Sequence, residues 1–251
     1  MVKNRSRQDH QLRMVVGHHA IRESMVTFPR GAQRLWLRKN FQTVSELREL
    51  AQLAQKIGII VEEKSVDLLQ QKAPAHQGAI LWQALEPAFP SDDQLQTLTS
   101  AMLLILDGIE DPHNLGAILR TSWLLGVSGV YIPIHHAVGV TPAVTKVASG
   151  GTEHVPVQRL GEFGSQIDRL KKMGYWVYGF DAVARHDLFK VAFHPKSVFC
   201  FGGEDRGLRR TTQKMCDELV RIPQVQKDAS YNVSVAVAIA LSEWFRQHRC
   251  S

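Results

Sequence analysis

The sequence predicts an α/β chain in which a small α/β module precedes a larger domain with a mostly parallel sheet and helices on both faces. Three observations carry this reading. Short apolar runs of strand type alternate with helix-type stretches along the chain. The run MLLILDG at 102–108 is apolar without a break up to its last residues, as a strand covered on both faces requires. Between the halves, LEPAFPSDDQLQTLTS at 85–100 carries two prolines and clustered polar residues, which marks a linker or an ordered connection over a surface.

Taken in order, the segment 1–13 reads as a flexible basic tail holding Lys3, Arg5, Arg7 and Arg13. The module at 14–84 then runs VVG (15–17), a helix near 18–27, RLWLR (34–38), a helix near 43–57, IIVEE (59–63), a short helix near 65–71 and AILWQ (79–83). After the 85–100 segment, the domain at 101–251 opens on the buried strand. A helix near 114–125, GVYI (129–132), helices near 142–149 and 162–173, YWVYGF (175–180), VFCFGG (198–203), ELVRIP (218–223) and a last helix at 232–248 follow.

Composition removes several classes. Of 251 residues, 44% are hydrophobic and 22% charged, so the chain can bury a core and is not a disordered or low-complexity polymer. Thirty basic against twenty-four acidic side chains leave +6, shared evenly between the halves and compatible with an anionic partner. Cys200, Cys216 and Cys250 have no zinc-finger or CxxC spacing, which fits a reducing compartment without a disulfide framework. The polar start lacks the apolar stretch of a signal peptide, and Ala229 to Ser242 falls short of a bilayer span; a soluble, cytoplasmic protein without a membrane partner is expected. His18-His19 and His135-His136 are adjacent and do not share a face, so no metal site is expected.

Three segments carry candidate chemistry. In DGIEDPHNLGAILR (107–120), Leu115, Ile118, Leu119 and Ser122 repeat at helical spacing, which puts Asn114 at an N-cap and Arg120 about 100° off the apolar stripe. FGGEDRGL (201–208) places Gly202 and Gly203 at the end of an apolar strand, followed at once by Glu204; it lacks the GxGxxG order of a dinucleotide fingerprint, which argues against Rossmann oxidoreductase chemistry. Ile222-Pro223 and then Ser230-Tyr231-Asn232 lead into a last helix that is apolar on nearly all sides, hence buried or at a subunit interface. Taken singly, capping residues, a β-turn and a solvated Arg account for each segment.

Together they are specific. DPHNLGAILRTS, GGEDRGL and IP followed by SYNVSVA match, in order and spacing, three motifs of the SPOUT superfamily of knotted methyltransferases, so that residues 102–249 resemble its SpoU branch. Residues 15–84, with VVGHHAI and HQGAIL, resemble the ribosomal-protein-like RNA-binding domain that precedes the catalytic domain in large-subunit rRNA guanosine methyltransferases. The resemblance implies a deep trefoil knot in the C-terminal domain, a homodimer built on it, and S-adenosylmethionine-dependent methylation of an RNA ribose 2′-hydroxyl. Ribosomal RNA, at a guanosine, is the expected substrate, tRNA or a non-catalytic role in ribosome assembly the alternatives, and DNA is not expected. It further implies Asn114, Arg120, Glu204, Ser230 and Asn232 as catalytic residues and Gly202, Gly203, Ile222 and Tyr231 as the cofactor's neighbours. The chain departs from the family at Gln224 and Gln226, where a Met and a Gly are typical, and at Tyr231, where a Leu is; Gln226 is expected to narrow the cofactor pocket or reshape its loop.

Overall fold

The computed structural model describes residues 12–203, 207–226 and 229–249. Its first part contains β1 (Arg13–Val15), α1 (His18–Thr27), β2 (Ala32–Arg38), α2 (Ser45–Lys56), β3 (Ile60–Lys64), α3 (Val66–Lys72) and β4 (Ala79–Gln83), in the predicted order. They form a four-stranded sheet, β1-β4-β2-β3, with β2 and β3 parallel and the pairs made by β4 antiparallel. Strand alternation divides the two layers. Leu35 and Leu37 of β2 are buried with Ile21, Met25, Leu47 and Leu50 of α1 and α2, while Trp36 turns to Leu69 of α3.

The 85–100 segment is an ordered connection. It contains α4 (Asp92–Thr97), whose N-cap Ser91 forms a reciprocal capping box with Gln94. Leu95 is buried, and its carbonyl accepts the Tyr175 hydroxyl at 3.1 Å.

The second part comprises β5 (Ala101–Asp107), α5 (Pro112–Leu124), β6 (Gly129–Pro133), α6 (Pro142–Ala148), β7 (Val157–Leu160), α7 (Gly164–Lys172), β8 (Trp176–Phe180), β9 (His186–Asp187), β10 (Lys196–Gly202), α8 (Arg210–Met215), β11 (Glu218–Arg221) and α9 (Val233–Arg249). All seven strands are parallel, in the order β7-β6-β5-β10-β8-β11-β9. The unbroken apolar run of β5 feeds two cores at once. Met102, Leu104 and Leu106 pack with Leu115, Ile118, Val144, Val237 and Trp244 on one face; Leu103 and Ile105 pack with Leu95, Ile167 and Leu170 on the other. The sequence reading passes over β7 and β9, the two edge strands, because the first is short and polar and the second has two residues.

The two sheets are joined by direct contacts. The Val16 N–H donates to Thr145 Oγ1 at 3.1 Å, and that hydroxyl reaches back to the Val16 carbonyl at 3.3 Å. The fully buried carboxylate of Glu153, in the short helical turn Gly151–Glu153, accepts two hydrogen bonds from the Arg13 guanidinium. This corrects the assignment of Arg13 to a flexible tail: it opens β1, and a buried carboxylate holds its side chain. Lys3, Arg5 and Arg7 lie outside the described residues.

Candidate active site

The second and third motifs meet at the carboxyl ends of the parallel strands, where open α/β sheets form their binding crevice. Asp107, the last residue of β5, is the register partner of Gly202, the last of β10. The chain after Gly202 doubles back so closely that a Cβ there would lie 1.9 Å from the Gly207 carbonyl carbon. A Cβ on Gly203 would lie 2.4 Å from the Gly108 carbonyl oxygen. Both positions require glycine because backbone occupies the space a side chain would need. The Gly203 N–H donates to the Asp107 carbonyl at 3.1 Å and the Gly207 N–H to the Gly203 carbonyl at 2.9 Å, closing the turn.

A buried carboxylate tethers this turn to β5. Asp107 accepts the Thr212 hydroxyl at 2.7 Å and a guanidinium N–H of Arg209, and the carboxylate raises the Arg209 pKa above its usual range. Sequence reasoning gave these three residues no role. The available signal was the charge itself, since an Asp ending a fully buried strand needs partners.

The third motif supplies the opposite wall. Gln224 donates from its amide to the Gln226 carbonyl at 2.8 Å and to the Ala229 carbonyl, and the Tyr231 hydroxyl donates to the Pro223 carbonyl at 3.2 Å. Asn232 immediately precedes α9, its side-chain oxygen accepting the Ser234 N–H at 2.9 Å. Its amide nitrogen donates to the amide oxygen of Asn114 at 3.0 Å, which joins the first motif to the third. Asn114 is not the N-cap that spacing suggested. Asp111 caps α5 by accepting the His113 N–H at 2.9 Å, Pro112 opens the first turn, and Asn114 is buried in that same turn as the third helical residue.

These elements enclose a cavity of about 550 Å³ whose walls include Gly202, Gly203, Ile222, Ser230, Tyr231 and Asn232. Phe180, Phe201, Leu208 and Val233 make its apolar side, the first two rings stacked 4.4 Å apart, while Asp181 and Gln224 add polar groups. Gln226 is exposed and is not among the lining residues, so the departures that shape the wall are Gln224 and Tyr231. A second cavity of about 510 Å³ shares Gly203, Gly207 and Val233 with the first and holds Asn114. Arg120 is brought to neither cavity: it is exposed on α5. Glu204 lies outside the described residues.

Comparison with known proteins identifies the lineage. The sequence pattern of the SpoU rRNA Methylase family matches residues 101–242. The 23S rRNA (guanosine-2'-O-)-methyltransferase RlmB of Nitrosomonas europaea is 37% identical over 238 residues, 93% of this chain and 91% of that one. A putative TrmH family tRNA/rRNA methyltransferase of Bacillus subtilis, YacO, is 32% identical over 240 residues, 93% and 95% of the two chains. In three dimensions the SpoU methyltransferase AviRb of Streptomyces viridochromogenes, solved with AdoMet, superposes with a TM-score of 0.77 over 98% of this chain and 94% of its own; at 22% identity that is a likeness of fold. With more than half its length inside the family pattern and relatives above 30% identity along nearly all of it, the chain belongs to the SpoU rRNA methylase family.

Proposed function

We propose that this protein transfers the methyl group of S-adenosylmethionine to the ribose 2′-hydroxyl of a guanosine in large-subunit rRNA. The observation that carries the reading is the first cavity: six residues from two motifs that are separate in sequence line it together, beside a second cavity able to admit a nucleotide. Its residues fit the cofactor, since two glycines leave backbone exposed, the Phe180 and Phe201 rings offer an apolar face and Asn232 and Ser230 offer polar groups. The cofactor supplies an electrophilic methyl on a sulfonium.

The chain's own residues then orient the acceptor and handle its proton. Asn114, held by Asn232, sits where the two cavities adjoin and orients the ribose. A guanidinium is a poor base, so Arg120 acts by stabilising the developing alkoxide or with the help of an RNA phosphate. Glu204 completes the assignment as an orienting carboxylate. Arg120 shares a helix face with Leu124, four residues on and 68% exposed, and α9 leaves Val235 46% exposed. A homodimer paired through these helices covers that apolar surface and meets Arg120 at the same time.

The remaining assignments belong to the same reading. Residues 14–84 form the RNA-binding domain, 85–100 the connection and 101–251 the catalytic domain, with a deep trefoil knot near the cofactor loops. The return of α9 onto α5 and the insertion of β10 between β5 and β8 support the knot. Among the described residues no helix is long and apolar enough to cross a membrane, consistent with the cytoplasm as the place of action. The test is transfer of labelled methyl from S-adenosylmethionine to unmodified large-subunit rRNA and to tRNA, with mass-spectrometric mapping of the product. Ribose methylation of rRNA is expected; label on bases alone, or no cofactor binding by calorimetry, overturns the proposal.

A further inference from the structure

The second cavity has a feature that methyl transfer does not use. It opens at the carboxyl end of β5 and is lined by Asp107, Glu110, Asn114, His136 and Arg209, with Gly203, Gly207 and Val233 as the partition from the first cavity. Most of its polar groups are engaged: Asp107 with Arg209 and Thr212, Asn114 with Asn232. Asp111, which also lines it, caps α5 through the His113 N–H. Glu110 is different. It stands exposed on the rim, and among the described residues no hydrogen bond or ion pair engages its carboxylate.

We infer that this cavity receives the acceptor nucleotide and that Glu110 selects guanine. The inference rests on the activity proposed above. A volume of about 510 Å³ lies within the range of small-molecule sites, and the shared partition sets its occupant beside the cofactor cavity. A carboxylate at the rim accepts two parallel hydrogen bonds only from a base edge that carries adjacent donors. The Watson–Crick edge of guanine does so, with N1–H and the N2 amino group side by side. Adenine, cytosine and uracil each set an acceptor next to their donor, and an acceptor facing a carboxylate is repelled. Arg209, tethered by only part of its donor fork and 52% exposed, keeps N–H groups for a phosphate of the same strand and offsets the charge of Glu110 there. Glu110 is thus a specificity residue and not a proton acceptor in the reaction.

The test uses the full chain and a synthetic hairpin carrying the rRNA nucleotide mapped as the methyl acceptor, made with guanosine, inosine or adenosine at that position. Inosine lacks only the N2 amino group. For the unsubstituted protein, kcat/KM should fall about tenfold from guanosine to inosine, one charge-assisted hydrogen bond, and further with adenosine. In Glu110→Ala the guanosine-to-inosine ratio should drop to near one. Glu110→Gln, which turns an amide toward the N2 amine, should lower the same ratio. Cofactor affinity measured by calorimetry should be unchanged in both, because Glu110 does not line the first cavity. A ratio that persists in Glu110→Ala overturns the assignment, whereas absence of ribose methylation by the unsubstituted protein overturns the function on which it rests.

Discussion

Asn232, at the start of α9, donates a hydrogen bond of 3.0 Å to Asn114 in α5, across 118 residues of sequence. The bond ties a wall of the first cavity to the cavity beside it. Groups that act as one unit lose function non-additively. Asn114→Ala and Asn232→Ala should each lower turnover by about 10²-fold, the cost of a misplaced reacting group. The double variant should be little worse than the poorer single one; steady-state kinetics on the three proteins checks this, and multiplicative losses would sink the coupling.

Arg209→Met strips the charge partner from a fully buried carboxylate. Breaking a buried pair costs several kcal/mol, but Arg209 is half exposed, so a loss of about 2 kcal/mol is expected in urea denaturation. Because Asp107 tethers the turn that carries Gly203 and Gly207, calorimetry should also show weaker S-adenosylmethionine binding.

Gly202→Ala confronts the Gly207 carbonyl with a methyl at less than contact distance. The turn must open, and cofactor affinity should fall at least 10-fold. Gly126→Ala is the informative partner, since no heavy atom lies within 4 Å of a Cβ there; its positive φ strains the backbone while cofactor affinity stays unchanged.

Arg120→Ala removes an exposed side chain and should leave the melting temperature within a degree or two. If Arg120 stabilises the developing alkoxide, turnover falls by roughly 10²–10⁴-fold. Near-full turnover would withdraw Arg120 from that role.

Val235→Glu tests the dimer without disturbing the core, because Val235 is half exposed while Val237 and Leu241 are buried inside the chain. Sedimentation should show a folded dimer for the unsubstituted protein and a folded monomer for Val235→Glu. Val237→Glu should instead unfold the chain by burying an unpaired charge.

A pH dependence follows from Glu243, buried in α9. Its carboxylate accepts two hydrogen bonds from Arg246 and one from Gln247, and the Arg246 guanidinium holds its pKa below the usual carboxylate value. A depressed carboxylate stabilises the fold above its unfolded pKa, and that contribution disappears as pH falls through the folded one. Glu243→Gln should therefore be about 1 kcal/mol less stable at neutral pH, with the gap closing in acid; denaturation midpoints across pH would show it.

The order of the longer helices and strands was legible in sequence because it follows from periodicity, a local property, whereas the short β7, β9 and α8 were passed over. The run MLLILDG announced a strand covered on both faces, and β5 feeds two cores. The stripe Leu115, Ile118, Leu119 and Ser122 is the buried face of α5. The resemblance to the family's motifs likewise singled out Gly202, Gly203, Ile222, Ser230, Tyr231 and Asn232, which line one cavity. Where several groups compete for one function, sequence was insufficient. Spacing made Asn114 a cap, but Asp111 is the better acceptor for the first free N–H, which leaves Asn114 for Asn232. Arg13 read as part of a solvated tail because its partner, Glu153, is 140 residues away. Asp107 and Arg209 are 102 residues apart, and only the parallel register of β5 and β10 brings the strand end and the glycine turn together. Pairings at such separation depend on strand order, which tertiary packing selects among many topologies compatible with the same local pattern.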